Sequence, residues 1–167
     1  TADIAIQSAL TGHLLFSTLH TNDAAGAVTR LLDMGVESFL LSSTLLGVLA
    51  QRLVRIICPE CKTEAQPDEK LLRTMGVGPE DIEGITFMAG KGCEYCRGTG
   101  FKGRTAIFEY LPVNDAIRRE VNAHASTERI KDVAMERGMR TLRQDGWMKV
   151  KEGLTTIAEV LRVTLEK

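Results

Sequence analysis

The chain has 167 residues, 44% of them hydrophobic, enough for one ordinary globular domain or two small modules sharing an interface. Lys and Arg number 21 against 22 Asp and Glu, and aromatic residues make up only 5%. That balance argues against nucleic acid or an anionic membrane as the main partner and leaves little material for base-stacking platforms.

The charge-free run from Ser38 to Gln51 is too short and too serine-rich to cross a bilayer, which takes roughly 20 apolar residues. No signal-peptide pattern opens the chain, so a soluble, cytoplasmic protein is expected. From Ala2 to Leu10 the residues Ile4, Ala5, Ala9 and Leu10 fit a helix that Gly12 stops. Residues 13–19, HLLFSTL, are almost continuously apolar, which predicts a strand covered on both faces, as in a parallel sheet. His20, Thr21, Asn22 and Asp23 then bring N-cap chemistry, with Asn22 as the expected cap. The stripe Ala24, Ala27, Val28, Leu31 and Leu32 forms the next helix, ended by Gly35.

In open α/β sheets ligands sit beyond the carboxyl ends of strands, against the N-terminus of the following helix. His20 falls at that point and can donate to a phosphate oxygen; the alternative is local packing. His13 enters at the opposite end of the expected strand, where a structural role is the simpler reading. Residues 38–50 read as a second apolar helix burying Phe39, Leu40, Leu46 and Leu49. Arg52 and Arg55 follow it, either as a solvated helix end or as groups that reach an anion or a neighbouring subunit.

Cys58-Pro-Glu-Cys61 and Cys93-Glu-Tyr-Cys96 are two C-x-x-C pairs separated by 31 residues, and they account for all 4 cysteines. Two such pairs complete the tetrahedral sulfur shell of a closed structural zinc site, one Zn2+ per chain. An iron and sulfur cluster is the main alternative, and two disulfides would need an oxidising compartment. Four sulfurs leave no position open for water or substrate, so such a metal holds the fold and performs no chemistry. Gly92, Gly98, Gly100 and Gly103 permit tight backbone around the second pair. Lys62, Lys91 and Arg97 can moderate its negative charge.

Between the pairs, residues 64–90 read as an excursion with a short helix near Leu71 and Leu72. Residues 105–111 form a strand ended by Pro112. Asn114 and Ser126 cap two helices, and Thr141 with Gln144 and Thr156 with Glu159 form capping boxes for two more. The last helix places Ile157, Val160, Leu161 and Leu165 on one face for docking on a partner helix or neighbouring subunit.

The stretches TGHLLFSTLHTNDA at 11–24, LAQRLVRIICPEC at 49–61, GCEYCRGTGFKGRTAIFEYL at 92–111 and RTLRQDGWMKVKEGLTTIAEVLRVT at 140–164 carry a family resemblance. Together they resemble the C-terminal part of the ATPases that power type II secretion and type IV pilus assembly. The resemblance implies an α/β fold in three parts. A truncated RecA-like core over 1–57 holds the histidine box, a tetracysteine zinc subdomain covers 58–103, and a strand with a C-terminal helical bundle covers 104–167. It implies that His20 contacts the γ-phosphate, with His13 the other box histidine, and that Cys58, Cys61, Cys93 and Cys96 bind zinc. Arg52, Arg55 and Arg104 are left open between nucleotide and a neighbouring subunit.

A phosphate-binding loop G-x-x-x-x-G-K-[ST] is absent from these residues. By the resemblance, that loop and the acidic strand end for magnesium precede Thr1. The chain is then expected to be inactive alone, with ATP and Mg2+ bound only by an intact parent. That parent is expected to be a homohexamer on the cytoplasmic face of the inner membrane, working with secretion or pilus platform proteins and without nucleic acid. Some self-association of the fragment is expected from uncovered apolar faces. A non-enzymatic zinc-binding interaction module like that of J-domain chaperones is the alternative, since CEYCRGTG at 93–100 fits one of their repeats while CPECKTEA at 58–65 lacks the glycines. A nucleic-acid-binding zinc ribbon ranks third, weakened by the charge balance.

Overall fold

The computed structural model describes residues 2–165. The chain divides into two compact units, each built from two stretches: one runs to Ala50 and takes in Glu109–Thr141, the other comprises Gln51–Phe108 and the chain from Leu142 onward. The division falls inside two long strands, β1 (Gly47–Ile57) and β4 (Phe101–Pro112), which pair with each other. Val113 N–H donates to Leu46 O at one end and Cys58 N–H to Gly100 O at the other, so the pair runs antiparallel.

The first unit is helical. α1 (Ala2–Leu10) and α3 (Ser38–Thr44) pack together, as do α2 (Ala24–Asp33) and α6 (Thr127–Glu136), with α5 (Asp115–Asn122) against α3 and α6. Its core gathers Val28, Leu41, Leu111, Ile117, Val121 and Ile130, all essentially buried. Asn114 caps α5 through Ala116 and Ile117 N–H, and Ser126 caps α6 through Arg129 N–H, as the sequence predicts.

Five local expectations are corrected here. Residues 13–20 form no strand: no ladder partner stands beside them among the described residues, and Leu14, Leu15, Phe16 and Leu19 remain exposed. A strand is stabilised by its neighbour's backbone, so apolar sequence alone does not make one. The cap of α2 is Asp23, whose carboxylate accepts Gly26 N–H at 2.8 Å, and not Asn22. The helix expected over 38–50 ends at Thr44; Leu45 is already extended, and the β-branched run Val48, Val54, Ile56 and Ile57 pairs with β4. Phe39, Leu46 and Leu49 are therefore exposed rather than core, and Arg52 and Arg55 belong to a strand rather than to a helix end. Gly47 opens that strand where a side chain would strike Tyr110.

In the second unit, β2 (Lys62–Glu64) and β3 (Met88–Gly90) pair antiparallel with Thr63 opposite Ala89. α4 (Glu69–Met75), capped by Asp68, packs on α8 (Ile157–Thr164), which also packs on α7 (Leu142–Lys151). Gly146 lets α7 approach Val160 of α8 more closely than any side chain would allow. Ile157, Val160 and Leu161 are buried as expected, but Leu165 is exposed, because the helix ends at Thr164 and its C-cap leaves in extended backbone. The helices after residue 104 are thus shared between units, α5 and α6 in the first and α7 and α8 in the second.

Candidate metal centre

Cys58 follows the last residue of β1, and Cys61 directly precedes β2, so the Pro59-Glu60 turn swings both thiols to one side. Cys93 and Cys96 sit on the turn between β3 and β4. The four Sγ atoms all lie within 4.8 Å of one another. Cys58 to Cys93 is 3.8 Å, Cys61 to Cys96 is 3.9 Å and Cys93 to Cys96 is 3.7 Å. These are the edges of a tetrahedron around an ion about 2.3 Å from each sulfur, and far beyond the roughly 2.0 Å of a disulfide. The donor set therefore fits a four-coordinate, sulfur-bound metal ion with no open position.

The backbone is built around the sulfurs. Cys93 N–H and Gly100 N–H both donate to Cys96 Sγ at 3.2 Å. Lys91 N–H donates to Cys61 O, tying the two turns together, and Gly98 N–H donates to Cys93 O within the second. At Gly100, φ is +75, and a Cβ there would run into the Gly90 carbonyl, so no L side chain fits. The thiols stand in unequal surroundings. The Cys93 N–H draws the Cys96 thiol down to about 6 in spite of burial, while burial pushes Cys61 up to about 12 and raises Cys58 as well. Four sulfurs at this spacing become thiolates together only when a cation stands among them.

Sequence reasoning missed the support behind this centre. Glu159, 1% exposed at its side chain, accepts Arg55 N–H at 3.0 Å and the Arg55 guanidinium at 2.8 Å, and Arg162 at 2.6 and 3.0 Å. Burial alone pushes this carboxyl up; the hydrogen bonds from Arg162 and Arg55 overcome it and hold the group at about 2. The Arg55 guanidinium also stacks 4.3 Å above the ring of Phe101, next to Gly100. The sequence pattern marks Glu159 only as half of a capping box. Thr156 does accept the Glu159 N–H at 3.3 Å, but the glutamate side chain is committed to the two arginines.

His13 and His20 belong to the first unit and the four cysteines to the second. Both are exposed on residues 13–20, and His13 Nδ1 lies 3.0 Å from Thr11 Oγ1. After His20 the turn is tightly held: Thr21 Oγ1 donates to Asp23 O, and Asp23 caps α2 and pairs with Lys131 at 2.9 Å. Glu109 was also missed. It is buried on β4 and accepts the Ala24 N–H at 2.9 Å. A signal was available, since Ile107, Glu109 and Leu111 share one face of β4 and a charge on an apolar face asks for a partner.

The fold matches part of a known structure. The chain aligns with the crystal structure of the pilus retraction motor PilT with bound ADP at a TM-score of 0.62, with 24% identity, over 98% of this chain and 36% of that one. The chain belongs to the type II/IV secretion system protein family, whose model matches residues 1–162. It is 53% identical over 166 residues to the type IV pilus assembly ATPase PilB of Thermus thermophilus, covering 99% of this chain and 19% of that protein. It is 48% identical over 167 residues to the type II secretion system protein E of Pseudomonas aeruginosa, covering 100% of this chain and 33% of that protein. The chain thus spans a third or less of the length of these relatives. No described helix is long and apolar enough to cross a membrane.

Proposed function

We propose that this chain is the C-terminal portion of a cytoplasmic, homohexameric ATPase that powers type II protein secretion or type IV pilus assembly from the inner face of the membrane, through platform proteins held there. The observation that carries the reading is the identity of 53% across 99% of the chain to a protein named as a pilus assembly ATPase. Cys58, Cys61, Cys93 and Cys96 hold one structural Zn2+, which fixes the β1 end against the β3–β4 turn and takes no part in the reaction. His20 contacts the γ-phosphate, His13 completes the histidine box, and ATP and Mg2+ are held by residues outside this sequence. These residues contain no phosphate-binding loop of the form G-x-x-x-x-G-K-[ST], so the chain by itself hydrolyses no ATP.

A chimera tests this directly. These residues replace the matching segment of the Thermus thermophilus pilus assembly ATPase, and ATP hydrolysis is measured beside the isolated chain. A chimera that hydrolyses ATP and keeps only a small, still measurable rate on His20→Ala, with the isolated chain inert, is the expected result. Turnover by the isolated chain, or a folded chimera without activity, contradicts the reading.

A further inference from the structure

Glu109 sits where the strand pattern calls for an apolar residue. Its neighbours on the same face of β4, Ile107 and Leu111, are completely buried, and Glu109 itself is 1% exposed. A carboxylate placed there loses its hydration, which is offset only when hydrogen-bond donors meet it. One donor is the Ala24 N–H, 2.9 Å from Oε1 and 85 residues away in sequence. That N–H opens α2 and has no acceptor inside the helix, and the helix dipole there favours a negative charge.

The start of α2 is also where the histidine turn is anchored. Asp23 holds the Gly26 N–H with one carboxylate oxygen and Lys131 with the other. Ala24 and Ala25 are completely buried, so the end of the helix packs with no side chain that can shift out of the way. His20 lies three residues before Asp23, exposed, on a stretch that has no strand partner among the described residues. The nearest helix that follows it in the chain is α2, and Glu109 fixes the start of that helix to β4.

We infer that Glu109 is a positioning residue for His20, acting through the Ala24 N–H to hold the His20–Asp23 turn in place. The inference rests on the reading of His20 as the γ-phosphate contact, while the hydrogen bond itself does not. Glu109→Gln keeps a carbonyl oxygen for Ala24; Glu109→Ala removes the acceptor and leaves the N–H buried without it.

Two measurements decide it. Hydrogen exchange of the 167-residue chain is expected to show Ala24–Gly26 losing protection in Glu109→Ala, with α5 and α6 unchanged and Glu109→Gln close to native. In the chimera, Glu109→Ala is expected to lower kcat roughly ten- to a hundredfold, with the KM for ATP changed less than about threefold, and Glu109→Gln to recover most of the rate. In a His20→Ala background, Glu109→Ala should bring no further loss, because a residue that acts through His20 has nothing left to position. Unchanged exchange at Ala24 overturns the proposal, as does an equal loss of kcat in both backgrounds, which marks general support of the fold. A His20→Ala chimera with native rates overturns it too. An inactive native chimera instead sinks the ATPase reading, and exchange alone then decides whether Glu109 orders the turn.

Discussion

Arg55 meets Glu159 twice, its backbone N–H on Oε1 at 3.0 Å and its guanidinium on Oε2 at 2.8 Å. Three residues further on is Cys58. The Arg55 carbonyl accepts the Thr155 hydroxyl at 2.8 Å, and Ile57 N–H donates to Leu154 O at 2.9 Å. The end of β1 that presents the first cysteine pair is thus fastened to the α7–α8 connection and to α8 itself, so the metal centre and these helices are expected to gain and lose order together.

The Glu159 carboxylate should make stability depend on acid. Its folded value of about 2 lies below the 4.5 of an ordinary glutamate, so its contribution is complete above about pH 4.5 and is lost as pH falls toward 2. Glu159→Gln should cost about 2 kcal/mol at pH 7, because the arginines, half exposed, regain water while the backbone partner keeps an acceptor. Urea unfolding of both proteins at steps from pH 7 to pH 2.5 should show the gap narrowing below pH 4.5. A gap that stays constant from pH 7 to pH 2.5 would mean that folding does not lower the pKa of this carboxyl.

Elemental analysis should find one zinc per chain. Removing it with a strong chelator should lower the melting temperature, with the earliest rise in hydrogen exchange at Val54–Cys61 and in α8, since these share the Arg55 and Glu159 bonds. Cys58→Ser should reproduce both effects. A chain that stays equally stable with four free thiols and no metal contradicts the metal centre.

The cysteine centre was legible because C-x-x-C spacing is local chemistry: a turn of two residues aims two thiols wherever the fold puts it. The caps Asn114 and Ser126 were legible for the same reason. The family was legible from four sequence stretches, and the matching family model bears that out. What the sequence hid depends on distant partners. Residues 13–19 have strand composition but no ladder beside them among the described residues, and Leu45–Gly47 leave a helical pattern because β4 offers one. The capping pattern at Glu159 and the strand pattern at Glu109 do not name the partners, which lie 104 and 85 positions away.

Gly100→Ala should empty the centre without touching a ligand. The residue combines φ of +75, an N–H on Cys96 Sγ, a carbonyl on Cys58 N–H and a contact with Gly90 that leaves no room for a methyl group. Left-handed backbone alone costs a non-glycine residue about 1 kcal/mol, and the clash adds to it. The purified variant should carry well under half the native zinc and should refold poorly after chelation. Gly84→Ala, which meets no atom within 4 Å, shares the positive φ and should keep its metal.

The last expectation concerns residues 13–19. Phe16 is 91% exposed and Leu14 68%, on backbone whose N–H and C=O groups have no ladder partner among the described residues. Apolar side chains on an unpaired extended segment are the usual start of edge-to-edge association. Sedimentation velocity across a hundredfold range of concentration should therefore show the isolated chain self-associating. Phe16→Glu combined with Leu14→Lys should shift it toward monomer without lowering the melting temperature, since neither side chain is part of the core. If the double variant associates as strongly as the native chain, the contact lies elsewhere, and the exposed Leu46 and Leu49 become the next to substitute.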